Sequence, residues 1–296
     1  MKKLLVFTLM MFLTVPAQAA MARIAFVHDG DIWLMDGNGE NKEQITALGD
    51  VASFPSWSPD NSTLVFGRSQ HRPDENLSPE QGKQEINDIW TVATDGAALT
   101  RLTDNKNSGD PWWSPTAALI VFILGKTYIE ETDEPEKPVI ATIDLPGKKT
   151  SIFNLEGVSP RFTSRGENIV FTTLSKAGNV ARSATKNGEN SRNLWPTQDK
   201  ITDFSFANDD TKVIYVGYNE KEDKDILIMR DLAAKQDIPV FKNDTGLSID
   251  DLGNWSPGND AFVFCCEGNV YLLKLADRSV TGLTTDGVST KPCWSH

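Results

Sequence analysis

The stretch Phe54–Phe66, FPSWSPDNSTLVF, decides the fold. A Trp precedes Ser-Pro-Asp-Asn, and an apolar run follows at once. Pro presets φ while Asp and Asn tolerate turn geometry, so the middle reads as a tight turn between two strands. The same grammar returns at Leu252–Phe264, LGNWSPGNDAFVF, and the chain ends on its opening, KPCWSH. Trp113-Ser114-Pro115 runs into Leu119–Phe122 in the same way. Two worn copies, Phe162-Thr163-Ser164-Arg165-Gly166 and Phe206-Ala207-Asn208-Asp209-Asp210, also lead into apolar runs.

The six aromatics Trp57, Trp113, Phe162, Phe206, Trp255 and Trp294 are spaced 39 to 56 residues apart. Repeats of about 40–50 residues centred on Trp indicate propeller blades of four strands. Within a repeat, ASFPSW is the inner strand, TLVF the second, NDIWTV the third and LTRLT the fourth. DGNG, ATDG and TKNG supply residues suited to positive φ between third and fourth strands. The short helix-like run at Leu232–Lys235 is too brief to stand as a helix.

The split motif at the C-terminus has a physical reading. Arg23–Val27, Asp31–Met35 and Glu43–Thr46 form second, third and fourth strands of a blade without a first. TKPCW supplies it, so one blade is shared between the two ends of the chain. Backbone pairing then closes the ring and removes two open strand edges. The fold class is therefore all-β, a six-bladed β-propeller of four-stranded antiparallel blades.

The order WSPD…LVF…DIW…DG…LT resembles the six-bladed propeller repeat of TolB and its relatives. The resemblance covers residues 20–296 as a single domain and does not extend to TolB's additional α/β domain, because the repeats begin just after a signal-like leader. Residues 1–19 carry Lys2 and Lys3, an apolar Leu4–Val15 and an Ala17-Gln18-Ala19 cleavage site. This layout predicts a cleaved signal peptide and a periplasmic location, with no later stretch long enough to span a membrane. The resemblance implies a noncatalytic scaffold with an envelope protein partner; a monomer is expected.

The chain carries a net charge of −12, or −14 without its first 19 residues. Such acidity opposes phosphate-backbone binding and favours a basic or neutral partner over nucleic acid. Catalytic equipment is sparse. The three histidines, His28, His71 and His296, share no metal-ligand spacing, and there is no G-x-S-x-G elbow and no C-x-x-C. Propeller lyases acting on acidic sugars resemble the repeat too, but need a cluster of His and basic groups. Asp36–Asn41, DGNGEN, lacks the distant Glu of a calcium loop and reads as a hairpin turn. No cofactor or metal is expected. The alternative is a carboxylate-based hydrolase or lyase acting on carbohydrate at the channel mouth, where two acids suffice.

Residues three and one before each motif aromatic are expected to share a face bordering the central channel. They give candidate binding residues Asp110, Trp112, Arg161, Asp203 and Lys291. Two long insertions, Arg68–Ile86 and Lys126–Lys137, lie between second and third strands, hence on one face of the ring. The second is acidic, and Tyr128, Glu130, Glu131 and Glu134 are its candidate contacts. The three cysteines allow a disulfide from Cys293 to Cys265 or Cys266, a bond between Cys265 and Cys266, or three buried thiols. Strand alternation lets only one of the adjacent pair face Cys293.

Overall fold

The computed structural model describes residues 22–73, 83–125, 138–173, 179–194, 203–219, 224–242 and 248–296. They form six four-stranded antiparallel sheets set in a ring, with no helix. Blades 1 to 5 run in chain order from inner strands Ser56–Trp57, Ser108–Trp113, Val158–Phe162, Phe204–Phe206 and Ile249–Trp255. Blade 6 takes its inner strand, Ser289–Trp294, from the C-terminal end and its other three, Arg23–His28, Asp31–Asp36 and Glu43–Gln44, from the N-terminal part. The antiparallel register sets Ile24 opposite Trp294 and His28 opposite Ser289. Ser295 N donates to Arg23 O at 2.8 Å, and Arg23 N to Ser295 Oγ at 3.0 Å. Blade closure follows the sequence reading.

Each second strand is apolar on both sides because it is sandwiched between neighbouring blades. Leu64 and Phe66 face blade 6, while Val65 between them faces blade 2. The result is six buried clusters, one in each seam between blades. The motif Trp belongs to these seams. Trp57 Nε1 donates to Cys293 O of blade 6, and Trp255 Nε1 to Ser205 O of blade 4, each at 3.0 Å. Phe162 and Phe206 have no such donor, and the seam between blades 3 and 4 rests on a smaller cluster around Val170, Phe204 and Tyr215. The indole nitrogens of Trp113 and Trp294 are buried without a partner, and the structure offers no account of that.

The polar letters of the repeat lock turns. Ser58 Oγ donates to Asp60 at 2.6 Å, and the hydroxyls of Ser58 and Ser62 hold the Asp60 carboxyl down at about 2. The Asp of DIW accepts from the Thr that ends the fourth-strand motif: Asp31 from Thr46 at 3.0 Å, Asp88 from Thr103 at 2.9 Å. That same Thr oxygen accepts from the next main-chain N–H, Ile32 or Ile89. Asp88 is buried and paired with Arg101 at 2.6 Å. These acids staple blades and are not spare functional carboxylates. Asp36–Asn41 is a hairpin turn, with Asn41 Nδ2 donating to Asp36 at 2.6 Å.

Three expectations are corrected. Most of the Arg68–Ile86 insertion is strand: Thr63–Pro73 pairs with Lys83–Ala93 throughout, from Arg68 opposite Asp88 to Pro73 opposite Lys83. Period-2 patterning is weak there, but ladder bonds between two polar strands need no apolar face. Next, Cys293 is not bonded to Cys265 or Cys266; all three thiols are free and buried. Cys293 points into the seam with blade 1, beside Trp57. Cys265 faces the other side of blade 6, 3.5 Å from Ser289 O, and Cys266 packs toward blade 4. Alternation therefore turns the three sulfurs into three different seams. Burial pushes the Cys293 thiol up to about 12 and raises Cys265 as well, so both stay protonated and inert. Finally, residues three and one before the aromatics do not share one simple face, as the channel shows.

Candidate functional site

Irregular inner strands shape the channel. The pairing shifts register just before the motif aromatic in blades 2, 3, 5 and 6. Asp110, Ser159 and Lys291, at the same place in three strands, adopt left-handed φ of 45°, 51° and 53°. A non-Gly residue pays strain for that conformation, and bulges of this kind re-aim side chains. Alternation thus breaks. Residues three before the aromatic collect at the end where inner strands begin, the upper mouth. Those one before collect at the channel's middle and at its lower mouth, where the W-S-P turns lie.

The middle is closed by Arg161 of blade 3, which is only 8% exposed. Its guanidinium crosses the channel and donates to two carbonyls of blade 5, Gly253 O at 3.0 Å and Leu252 O at 3.2 Å. The plane lies 4.2 Å from the Trp112 ring of blade 2 and 5.3 Å from Phe54. Arg161 and Trp112 line chambers on both sides. The upper chamber, about 60 Å³, adds Phe54, Asp110, Ser159 and Asp203. The lower one, about 220 Å³, adds aromatic and prolyl walls, Phe162, Phe206, Pro115 and Pro257, and an amide rim.

The upper side is crowded with like charge. Asp251 acts on both Asp110 and Asp203, Arg161 opposes all three acids, and Lys291 opposes Asp110 and Asp251. Their side chains touch channel space and so are only half-buried, yet blade walls surround them. Desolvation dominates and raises all three carboxyls, with Arg161 or Lys291 opposing it; Asp203 is pushed up to about 6. Asp203 also accepts from Phe204 N at 2.8 Å, and Asp251 from Lys291 N at 3.3 Å.

All five sequence-derived channel residues, Asp110, Trp112, Arg161, Asp203 and Lys291, meet around this one channel. Asp251 was missed. The expectation put Leu252 at that level, but the register shift turns Leu252 fully into the seam core and gives Asp251 to the channel. The doubled acid in IDDLGNW was the available signal. Ser56 and Cys293, one before their aromatics, also leave the channel: Ser56 Oγ accepts from Trp113 N, and Cys293 enters a seam. Tyr128, Glu130, Glu131 and Glu134 lie outside the described residues.

Among the described residues a Ser-His-Asp grouping lies away from the channel. His28 Nδ1 lies 3.1 Å from Ser289 Oγ and 3.6 Å from Asp286. A proton relay needs Ser and Asp on opposite ring nitrogens, whereas both face Nδ1 here, and Ser289 is wholly buried. The group pins blade 6. Among the described residues no three His, Cys, Asp or Glu side chains converge as a metal site, and no helix is long and apolar enough to cross a membrane.

No protein-family model matches the chain, and no curated protein matches its sequence. Solved structures share its fold. TolB from Acinetobacter baumannii matches with TM-score 0.71 at 15% identity over 92% of this chain and 66% of its own, so the chain spans about two thirds of that protein. A nidogen/laminin complex structure matches with TM-score 0.66 at 10% identity, covering 93% of this chain and 98% of the other. An oligogalacturonate lyase in complex with manganese gives 0.56 at 13% identity, covering 86% and 74%. The architecture is thus the TolB-like six-bladed propeller, and it is shared by proteins of unlike activity.

Proposed function

We propose that the chain is an exported, periplasmic, noncatalytic binding scaffold whose partner docks on the upper face of the ring. The observation that carries this is the blade 1 hairpin. Its paired strands continue about five residues past the usual six, ~16 Å at about 3.3 Å per residue, on the upper side. The base is held rigidly: Arg68 grips Asp50 with Nε at 2.6 Å and Nη2 at 2.8 Å, and lies 4.6 Å over Trp90. A stiff polar projection beside an acidic mouth suits recognition of a basic or neutral protein surface, since contacts on a preorganised element cost little ordering entropy. Strands Leu119–Leu124 and Val139–Asp144 of blade 2, which flank the acidic segment in sequence, end at the same face.

A carbohydrate hydrolase or lyase using Asp110 and Asp203 has one point in its favour, a carboxyl held near 6. The 60 Å³ around these acids has room for a few waters and not for a sugar ring. The scaffold reading accommodates that constriction. Its test is affinity capture from envelope extract with the parent chain and with a variant whose hairpin residues 70–86 are replaced by a two-residue turn. A partner held by the parent and lost by a folded variant is the expected result. Equal capture by both overturns this docking face.

A further inference from the structure

We propose that the lower chamber binds a small organic anion, a carboxylate on an apolar body no larger than a single aromatic ring, with Arg161 as its recognition group. This deepens the ligand-binding side of the scaffold reading and rests on the propeller's having a binding role.

The reasoning starts from unused donors. A guanidinium presents five N–H groups. Arg161, although 92% buried by its 8% exposure, spends one on Gly253 O and one on Leu252 O. Among the described residues it forms no ion pair with a carboxylate, unlike Arg68, Arg101 and Arg230. The remaining N–H groups have no acceptor among the described residues, and Arg161 lines both chambers, so its guanidinium borders channel space. The Trp112 face fixes the guanidinium plane, and a stacked Arg with free N–H groups is preorganised for the two oxygens of a carboxylate.

The two chambers decide from which side an acceptor arrives. Asp110 and Asp203 line the upper chamber and repel an anion. No Asp or Glu lines the lower chamber, in a chain of net charge −12. Its volume, about 220 Å³, falls below the roughly 300 Å³ of drug-sized pockets, so the ligand is small. Phe162, Phe206, Pro115 and Pro257 offer apolar contact to its body. Asn208 keeps its side-chain oxygen free while its Nδ2 donates to Ser256 O, and so adds a rim acceptor for a polar substituent.

Charge linkage gives the proposal a signature. Facing Arg161 are Asp110 of blade 2, Asp203 of blade 4, Asp251 of blade 5 with Asp250 beside it, and Lys291 of blade 6; His296 lines the lower rim, its imidazole pKa lowered by desolvation. An anion below adds to the negative side of this balance. Its binding is therefore tighter when Asp203 is protonated and weakens as pH rises through about 6.

The test is calorimetric titration of the intact chain with benzoate, benzamide and benzylammonium at pH 5.5 and pH 8. Benzoate is expected to bind at one site, at least about tenfold tighter than benzamide, with benzylammonium silent, and to weaken at pH 8. Asp203→Asn removes one negative charge without removing a ligand contact; it should tighten benzoate about threefold to tenfold at pH 8 and flatten the pH response. Arg161→Lys keeps the charge and loses the fork, and should weaken benzoate about tenfold or more. Absence of benzoate binding at about 10 mM overturns the proposal, as does equal affinity for benzoate and benzamide. So does an Asp203→Asn affinity no greater than the parent's. Partner capture on the upper face is a separate readout, so either site fails without the other.

Discussion

Above Arg161 the channel is a narrow space lined by carboxylates; below it, rings and amides enclose a larger space lined by no Asp or Glu side chain. Blades 2, 3 and 4 line both chambers; blade 1 adds to the upper one and blades 5 and 6 to the lower. In blades 2 and 3 a register shift sets Asp110 and Ser159, three before the aromatic, on the upper chamber alone, while Trp112 and Arg161, one before it, border both. A repeated strand can thus present two unrelated chemistries along one axis, provided a single buried cation stands between them.

The most damaging way to break the comparison is to open the ring. Removing residues 290–296 deletes the closing strand and Lys291 together, exposing the edge of Arg23–His28. Neither chamber then exists, and the expected outcome is aggregation or loss of the cooperative melting transition. A soluble product melting like the parent would show that blade 6 does not close the fold.

Arg161→Ala merges the chambers and leaves three carboxylates facing Lys291 alone. The expected cost is about 3–5 kcal/mol in urea unfolding at pH 7, because a buried charge set loses its partner. Adding Asp203→Asn to that variant should restore part of the loss. A double variant no more stable than Arg161→Ala would mean that the acids do not sense Arg161.

Asp203→Asn by itself sharpens the picture through pH. The folded carboxyl titrates at about 6 against an ordinary value near 4, so the native state binds more protons between those limits. Stability contributed by this group is present below pH 4 and is lost as pH rises to about 6, then stays flat. At pH 7.5 the Asn variant should be more stable than the parent by about 1–2 kcal/mol, discounted for channel water, and equal to it near pH 4. Parallel melting curves for both proteins across that window would refute the assignment.

The smallest effect concerns charge without burial. Changing Glu130, Glu131, Glu134 and Glu136 to Gln should alter stability by no more than about 0.5 kcal/mol, in contrast to the channel acids. Once a partner is captured, these changes should slow its association at low salt and matter less at high salt. Stopped-flow rates that match the parent's at every salt concentration would assign this acidic segment no steering role.

Blade number, blade boundaries, the shared sixth blade and the five channel residues were legible in the sequence, because each rests on a local pattern that recurs: Trp before a turn, an apolar run, Asp and Thr at fixed places. Those patterns are selected within a repeat by neighbouring backbone groups, as the Asp31–Thr46 and Asp88–Thr103 bonds show. Three other features waited for the tertiary structure. Leu252 rather than Asp251 looked like the channel residue, since a bulge changes the phase of a strand and the doubled acid Asp250-Asp251 is only a faint marker of it. Cys293 looked able to reach Cys265, since alternation along one strand says nothing about which of two seams each side faces. The chamber divide depends on Arg161 meeting Gly253 across 92 positions of chain. No repeat encodes that contact. It arises only when six blades close a ring of fixed width, and an arginine side chain is long enough to cross it.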